Sequence, residues 1–101
     1  MIQFIDQWGL RHHIISCTLT KMYSIYDVNK LAGYQFNYVE EGRAIGHECF
    51  FETGTWSNRY QIAIVINDKI FHYDEIDKDF GNIKVMLEQD LLASMIDKNL
   101  P

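Results

Sequence analysis

Apolar and polar residues alternate most regularly between Arg59 and Glu75, RYQIAIVINDKIFHYDE. Ile62, Ile64 and Ile66 alternate with Ala63 and Val65, and alternation resumes from Lys69 to Tyr73. Between the two runs stand Asn67 and Asp68, residue types that tolerate the positive φ of a tight turn, so the stretch predicts a β-hairpin with a two-residue loop. In that register Ile62, Ile64, Ile66, Phe71 and Tyr73 share one face and Ala63, Val65, Ile70 and His72 the other. Both faces are apolar enough to be covered.

Tyr34, Phe36 and Tyr38 alternate with Gln35, Asn37 and Val39, the pattern of a strand with one face on a core. Glu40 to Arg43 reads as a turn, Ala44 to Thr53 as a further strand and Gly54 to Asn58 as a loop. With the hairpin these segments predict a four-stranded antiparallel meander. Ile2 to Trp8 and Leu10 to Thr20 look extended and add one or two N-terminal strands, with Gly9 as a bend between them. Ser24-Ile25-Tyr26-Asp27 has capping-box spacing, which predicts a short helix near 25–32 with Ile25, Val28, Leu31 and Ala32 on one face and Gly33 as its stop. Leu87, Leu91 and Met95 form a helical stripe broadened by Leu92 and Ile96, so an amphipathic helix is expected at the C-terminal end, packed on the sheet. It begins at Asn82 or only near Glu88, because Ile83, Val85 and Leu87 also alternate as a strand would. The fold class is therefore α+β, built on an antiparallel sheet.

With 101 residues, 48% of them apolar and only one proline, the chain reads as one globular domain over 1–101, without repeat, low-complexity tract or linker. Its apolar runs are far shorter than the roughly 20 residues that cross a bilayer, and Met1 to Leu10 contains Asp6 and no basic leader, so a cytoplasmic protein without membrane contact is expected. Two cysteines are too few for a disulfide framework, and Cys17 and Cys49 read as small buried hydrophobes.

The net charge of −5 is unevenly placed. Asp74 to Pro101 holds seven acids against Lys78, Lys84 and Lys98, whereas the first 73 residues are nearly balanced. Phosphate backbones are held by clustered Lys and Arg, and none are clustered here, so direct nucleic-acid binding is not expected. A basic protein partner fits the charge better.

Candidate chemistry is sparse. His13 and Cys17 on a strand would lie about 13 Å apart, too far to share a zinc ion, and His47 with Cys49 offers two ligands without a second pair. No metal or cofactor is expected. Acid-base ribonuclease chemistry needs two imidazoles to meet, His12 or His13 with His47 or His72, plus a cation for the phosphorane-like charge. A nucleophilic Cys17 or Cys49 needs a basic neighbour, and Glu48 beside Cys49 opposes its thiolate. Asp77-x-Asp79 with Glu88 has a trace of calcium-loop spacing, but Gly81 and Asn82 occupy the wrong places. The isolated glycines exclude a phosphate-cradling loop.

The segment Asp74-Glu75-Ile76-Asp77-Lys78-Asp79-Phe80 is the best functional lead, because carboxylates steer a basic partner while aromatic side chains anchor it. On this reading the chain is a small non-enzymatic inhibitor that blocks a basic protein such as a toxin nuclease, in the style of immunity proteins or phage-encoded inhibitors. That analogy rests on size and charge alone. Glu40, Glu41, Asp74, Glu75, Asp77 and Asp79 would face the partner, with Tyr73 and Phe80 as anchors. One alternative is an enzyme or ligand-binding domain using His47, Glu48 and His72 in a cleft. Another is a self-associating accessory subunit, a homodimer that covers the sheet's second face.

Overall fold

The structure, a computed structural model, describes residues 1–43, 45–52 and 62–99. Six strands come first: β1 (Ile2–Ile5), β2 (Arg11–Tyr23), β3 (Leu31–Glu40), β4 (Gly46–Glu52), β5 (Ala63–Ile66) and β6 (Lys69–His72). Two helices follow, α1 (Tyr73–Lys78) and α2 (Phe80–Asn99). The strands make one antiparallel sheet in the order β4-β3-β2-β1-β5-β6. With α1 packed on β6 and α2 on β2 and β5, the architecture is α+β.

The β5–β6 hairpin forms as its sequence predicts. Asn67 and Asp68 take φ values of 50° and 69°, those of a type I′ turn, and Ile66 pairs with Lys69 across a two-residue loop. The meander is real but consists of β1 to β4, not of the four strands between Tyr34 and Tyr73. The hairpin joins the far side of the sheet, where Ile2 pairs with Ile66 and Phe4 with Ile64. Residues 53–62 separate β4 from β5. β5 lies on the other side of β1 from β2, so it is not a hairpin partner of β4. The expected loop Gly54–Asn58 and the ends of the expected strands at Ala44, Thr53 and Arg59 lie outside the described residues.

No helix forms near 25–32. Ser24 and Asp27 satisfy nearby backbone donors in turns instead: the Tyr26 N–H donates to Ser24 Oγ (3.1 Å) and the Asn29 N–H to Asp27 Oδ1 (3.0 Å). Short polar side chains offer this alternative to helical pairing wherever a chain must reverse, and here two long strands must be joined by residues 24–30. Leu31 and Ala32 belong to β3, and Gly33 does not stop a helix. It lies in β3 opposite Glu52, where a Cβ would overlap the Phe51 carbonyl oxygen. Glycine is needed there for close approach of two backbones.

The core lies on one face of the sheet. Ile2, Phe4, Leu19, Tyr34, Phe36, Phe51, Ile64 and Phe71 are buried there under Ile76 of α1 and Ile83 and Leu87 of α2. α2 begins at Phe80, earlier than the stripe predicts, and Ile83 and Val85 do not alternate as a strand. At 100° per residue Ile83 and Leu87 point inward, while Val85 and Leu92 are exposed at 48% and 58%, so Leu92 does not broaden the buried stripe. Met95 and Ile96 have side chains outside the described set.

Candidate functional site

The acidic segment is a helix, not a loop. Tyr73 and Ile76, three residues apart, are both buried and seat α1, and Asp74 and Glu75 in its first turn complement the helix dipole. Four acids then stand within 74–79 against Lys78 alone. Glu75, Asp77 and Asp79 are exposed. Asp77 accepts a hydrogen bond of 2.6 Å from Tyr34 Oη, and Asp79 Oδ1 accepts one of 2.8 Å from the Asn82 side chain. Helical structure runs on either side of Asp79, so Asp77 and Glu88 do not belong to an ion-wrapping loop.

The two expected anchors differ. Tyr73 is 4% exposed, part of the core, and offers a partner no surface. Burial pushes its phenol up to about 12, and its Oη has no hydrogen-bond partner. The sequence pattern shows the reason: Tyr73 continues the inward face of β6 as well as beginning a helix. Phe80 is half-buried, stacked on Tyr34 at 5.2 Å between ring centroids, with the Lys21 and Lys84 ammonium groups 5.1 and 5.9 Å from its ring.

Glu40 and Glu41 stand elsewhere. Tyr34, beside Asp77, and Glu40 are six residues apart on β3, about 20 Å at strand rise. Glu40 is also engaged: His12 Nδ1 donates to it at 2.8 Å, and Arg43 Nε lies 3.4 Å away. His12 Nε2 donates to Asp6 at 2.8 Å. With both ring nitrogens on carboxylates, the hydrogen bond to Asp6 first among the causes, the imidazole pKa is raised, which favours the imidazolium. Glu40 is lowered, chiefly by its hydrogen bond to His12. Burial opposes the ionised form of Asp6, but the bonds from His12 and from the backbone N–H groups of Leu10 and Trp8 outweigh it, and its pKa is also lowered. An imidazolium donating at both nitrogens has no lone pair for general-base work. It ties the ends of β1, β2 and β3 together, beside a hollow of about 340 Å³ lined by Phe4, Trp8, Tyr38 and Cys49.

The second set, His47, Glu48 and His72, does not converge. β4 and β6 are opposite edges of the sheet, so His47 and His72 lie about 24 Å apart at the usual strand spacing. Glu48, next to His47 on the strand, points to the other face. His47 stacks on Tyr38 at 5.2 Å with its Nε2 buried and unpartnered. Burial pushes the Cys49 thiol up to about 11 and Cys17 up to about 12, so neither is a thiolate at neutral pH. Among the described residues no group of three His, Cys, Asp or Glu side chains could hold a metal ion, and no helix is long and apolar enough to cross a membrane.

No protein-family model matches the chain, and no curated protein or solved structure matches it at a significant level. Sequence reasoning missed two features. The Asp6–His12–Glu40 clasp was legible only through pairing, since Phe4 faces His12 and Ile14 faces Glu40 across the sheet. The exposed apolar loop between β2 and β3 was hidden by its capping-box spacing, which reads as helix.

Proposed function

We propose that this chain is a small acidic binding protein of the cytoplasm that engages a basic, nucleic-acid-handling protein partner and inhibits it by covering its cationic surface. The observation that carries this is the mounting of the acids: three carboxylates ride on α1 and a fourth, Asp79, caps its end, while Tyr73 and Ile76 of α1 are sunk in the core and Asp77 is tied to Tyr34. Charges held by a rigid element lose little freedom on binding, which favours affinity as well as encounter rate. Glu40 and Glu41 fall outside this surface, the first compensated by His12 and Arg43.

The test reverses charge at exposed carboxylates, sparing Asp77, which Tyr34 holds, and giving up the Asn82 bond to Asp79. Glu75→Lys with Asp79→Lys is expected to weaken binding to a basic partner recovered from the native host about tenfold, and to flatten its salt dependence. Glu41→Lys, at the other end of β3, is expected to leave affinity within about twofold. Titration calorimetry at two ionic strengths reads both. Unaltered affinity and salt slope in the double variant would reject the acidic surface.

A further inference from the structure

The loop joining β2 to β3 reverses the usual placing of polar and apolar groups. Its polar side chains are turned onto its own backbone, Ser24 Oγ accepting from Tyr26 and Asp27 Oδ1 from Asn29. Its backbone closes through Ser24 N–H to the Lys30 carbonyl (2.9 Å) and Lys30 N–H to the Asp27 carbonyl (3.0 Å). The apolar side chains project: Ile25, Tyr26 and Val28 are 88%, 92% and 78% exposed, with Tyr23 half exposed behind them. Scattered surface hydrophobes are ordinary, but here three project together from one short loop, with Tyr23 at its base.

The tip and the acidic helix share one end of the molecule. Lys21 pairs with Tyr34, whose hydroxyl holds Asp77, and Tyr23 pairs with Leu31 where the tip begins. Tyr34 is three residues from that point, about 10 Å.

We propose that this tip, Ile25, Tyr26 and Val28, is a plug that seats in an apolar cleft of the same basic protein. The inference rests on the acidic-surface reading above and adds the anchor that Tyr73 does not supply. Charge favours this occupant, since Asp27 and the four acids of 74–79 outnumber Lys21, Lys30, Lys78 and Lys84 at this end. A second copy meeting tip to tip would bring two 74–79 clusters together, with three projecting side chains from each copy to hold them. An anionic bilayer would meet the same carboxylates with only three fully projecting side chains to hold it. A basic cleft gains from both features, with apolar anchors at its centre and complementary charge on its rim.

The test replaces Tyr26 in the full chain with a photo-cross-linking phenylalanine analogue in the native host, with the same analogue at Thr20 on the sheet as control. The protein captured from position 26 is purified, and its affinity is measured for the wild type, for Ile25→Ser/Tyr26→Ser/Val28→Ser, and for Glu75→Lys/Asp79→Lys. A tip without packing partners can change without unfolding the chain, so the serine variant is expected to melt within about 2 °C of the wild type. The expected result is a basic protein captured at 26 and not at 20, bound at least about 100-fold more weakly by the serine variant with its salt slope unchanged. Affinity within about twofold in that variant, alongside weakening by charge reversal, would overturn the plug and leave the acidic surface standing. Loss in the serine variant with no response to charge reversal would overturn the basic-partner reading on which the plug depends. Wild-type flotation on phosphatidylcholine vesicles containing about a quarter phosphatidylglycerol, or a dimer on sizing, abolished by the serines, would assign the tip to a membrane or to a second copy and overturn it likewise.

Discussion

At the scale of single residues, His12 is expected to shape the pH response. Its pKa lies above the ordinary 6.5, raised by Asp6 and Glu40, while those carboxylates lie below their ordinary 3.8 and 4.5. The imidazolium therefore contributes stability that is complete below 6.5 and lost as pH rises through its raised folded value. The carboxylates contribute stability that is present above 4.5 and lost on acidification. Melting temperature is expected to be highest between those limits and to fall on the alkaline side. His12→Gln should flatten the alkaline limb, and an equal slope in both proteins would show that the clasp does not govern it. The residues that were legible in the sequence are those whose reasons are local. Asn67 and Asp68 announce a tight turn because the positive φ is a property of the residue itself, whereas the burial of Tyr73 depends on where a neighbouring strand lies.

At the scale of elements, strands held by alternation were recovered and the segment between β2 and β3 was not. Ser24 and Asp27 can cap a helix or close a turn with the same atoms, and only the long strands on either side decide which. The identity of Gly33 is explained by that outcome. Read as a helix stop it would need left-handed backbone, but its role is steric, since a methyl group there meets β4. Gly33→Ala is expected to destabilise the protein by about 2–4 kcal/mol in urea unfolding, through overpacking between two backbones. A loss under about 0.5 kcal/mol would mean that β3 and β4 can move apart freely. The start of α2 was ambiguous because Ile83, Val85 and Leu87 satisfy both periods. The core resolves it by taking Ile83 and Leu87 and leaving Val85 in solvent.

At the scale of the whole molecule, the order of the sheet divides groups that the linear sequence seems to gather. Asp74, Glu75, Asp77 and Asp79 stay together on α1 and the residue after it, but Glu40 and Glu41 are carried to the far end of β3, and His47 and His72 to opposite edges. What the sheet brings together is the acidic helix and the apolar β2–β3 tip, more than 40 residues apart in sequence, and this juxtaposition was invisible before pairing was known. On the proposed reading, that end of the molecule is the interface. Backbone amide shifts followed by NMR during titration with the captured basic partner test that claim most directly. The account predicts that the perturbed amides gather at 22–30 and 74–80, while those of Glu41, Gly42 and Arg43 and of the Asn67–Asp68 turn stay in place. Perturbations centred on the His12 clasp or the β5–β6 turn, with the tip and α1 unmoved, would contradict it.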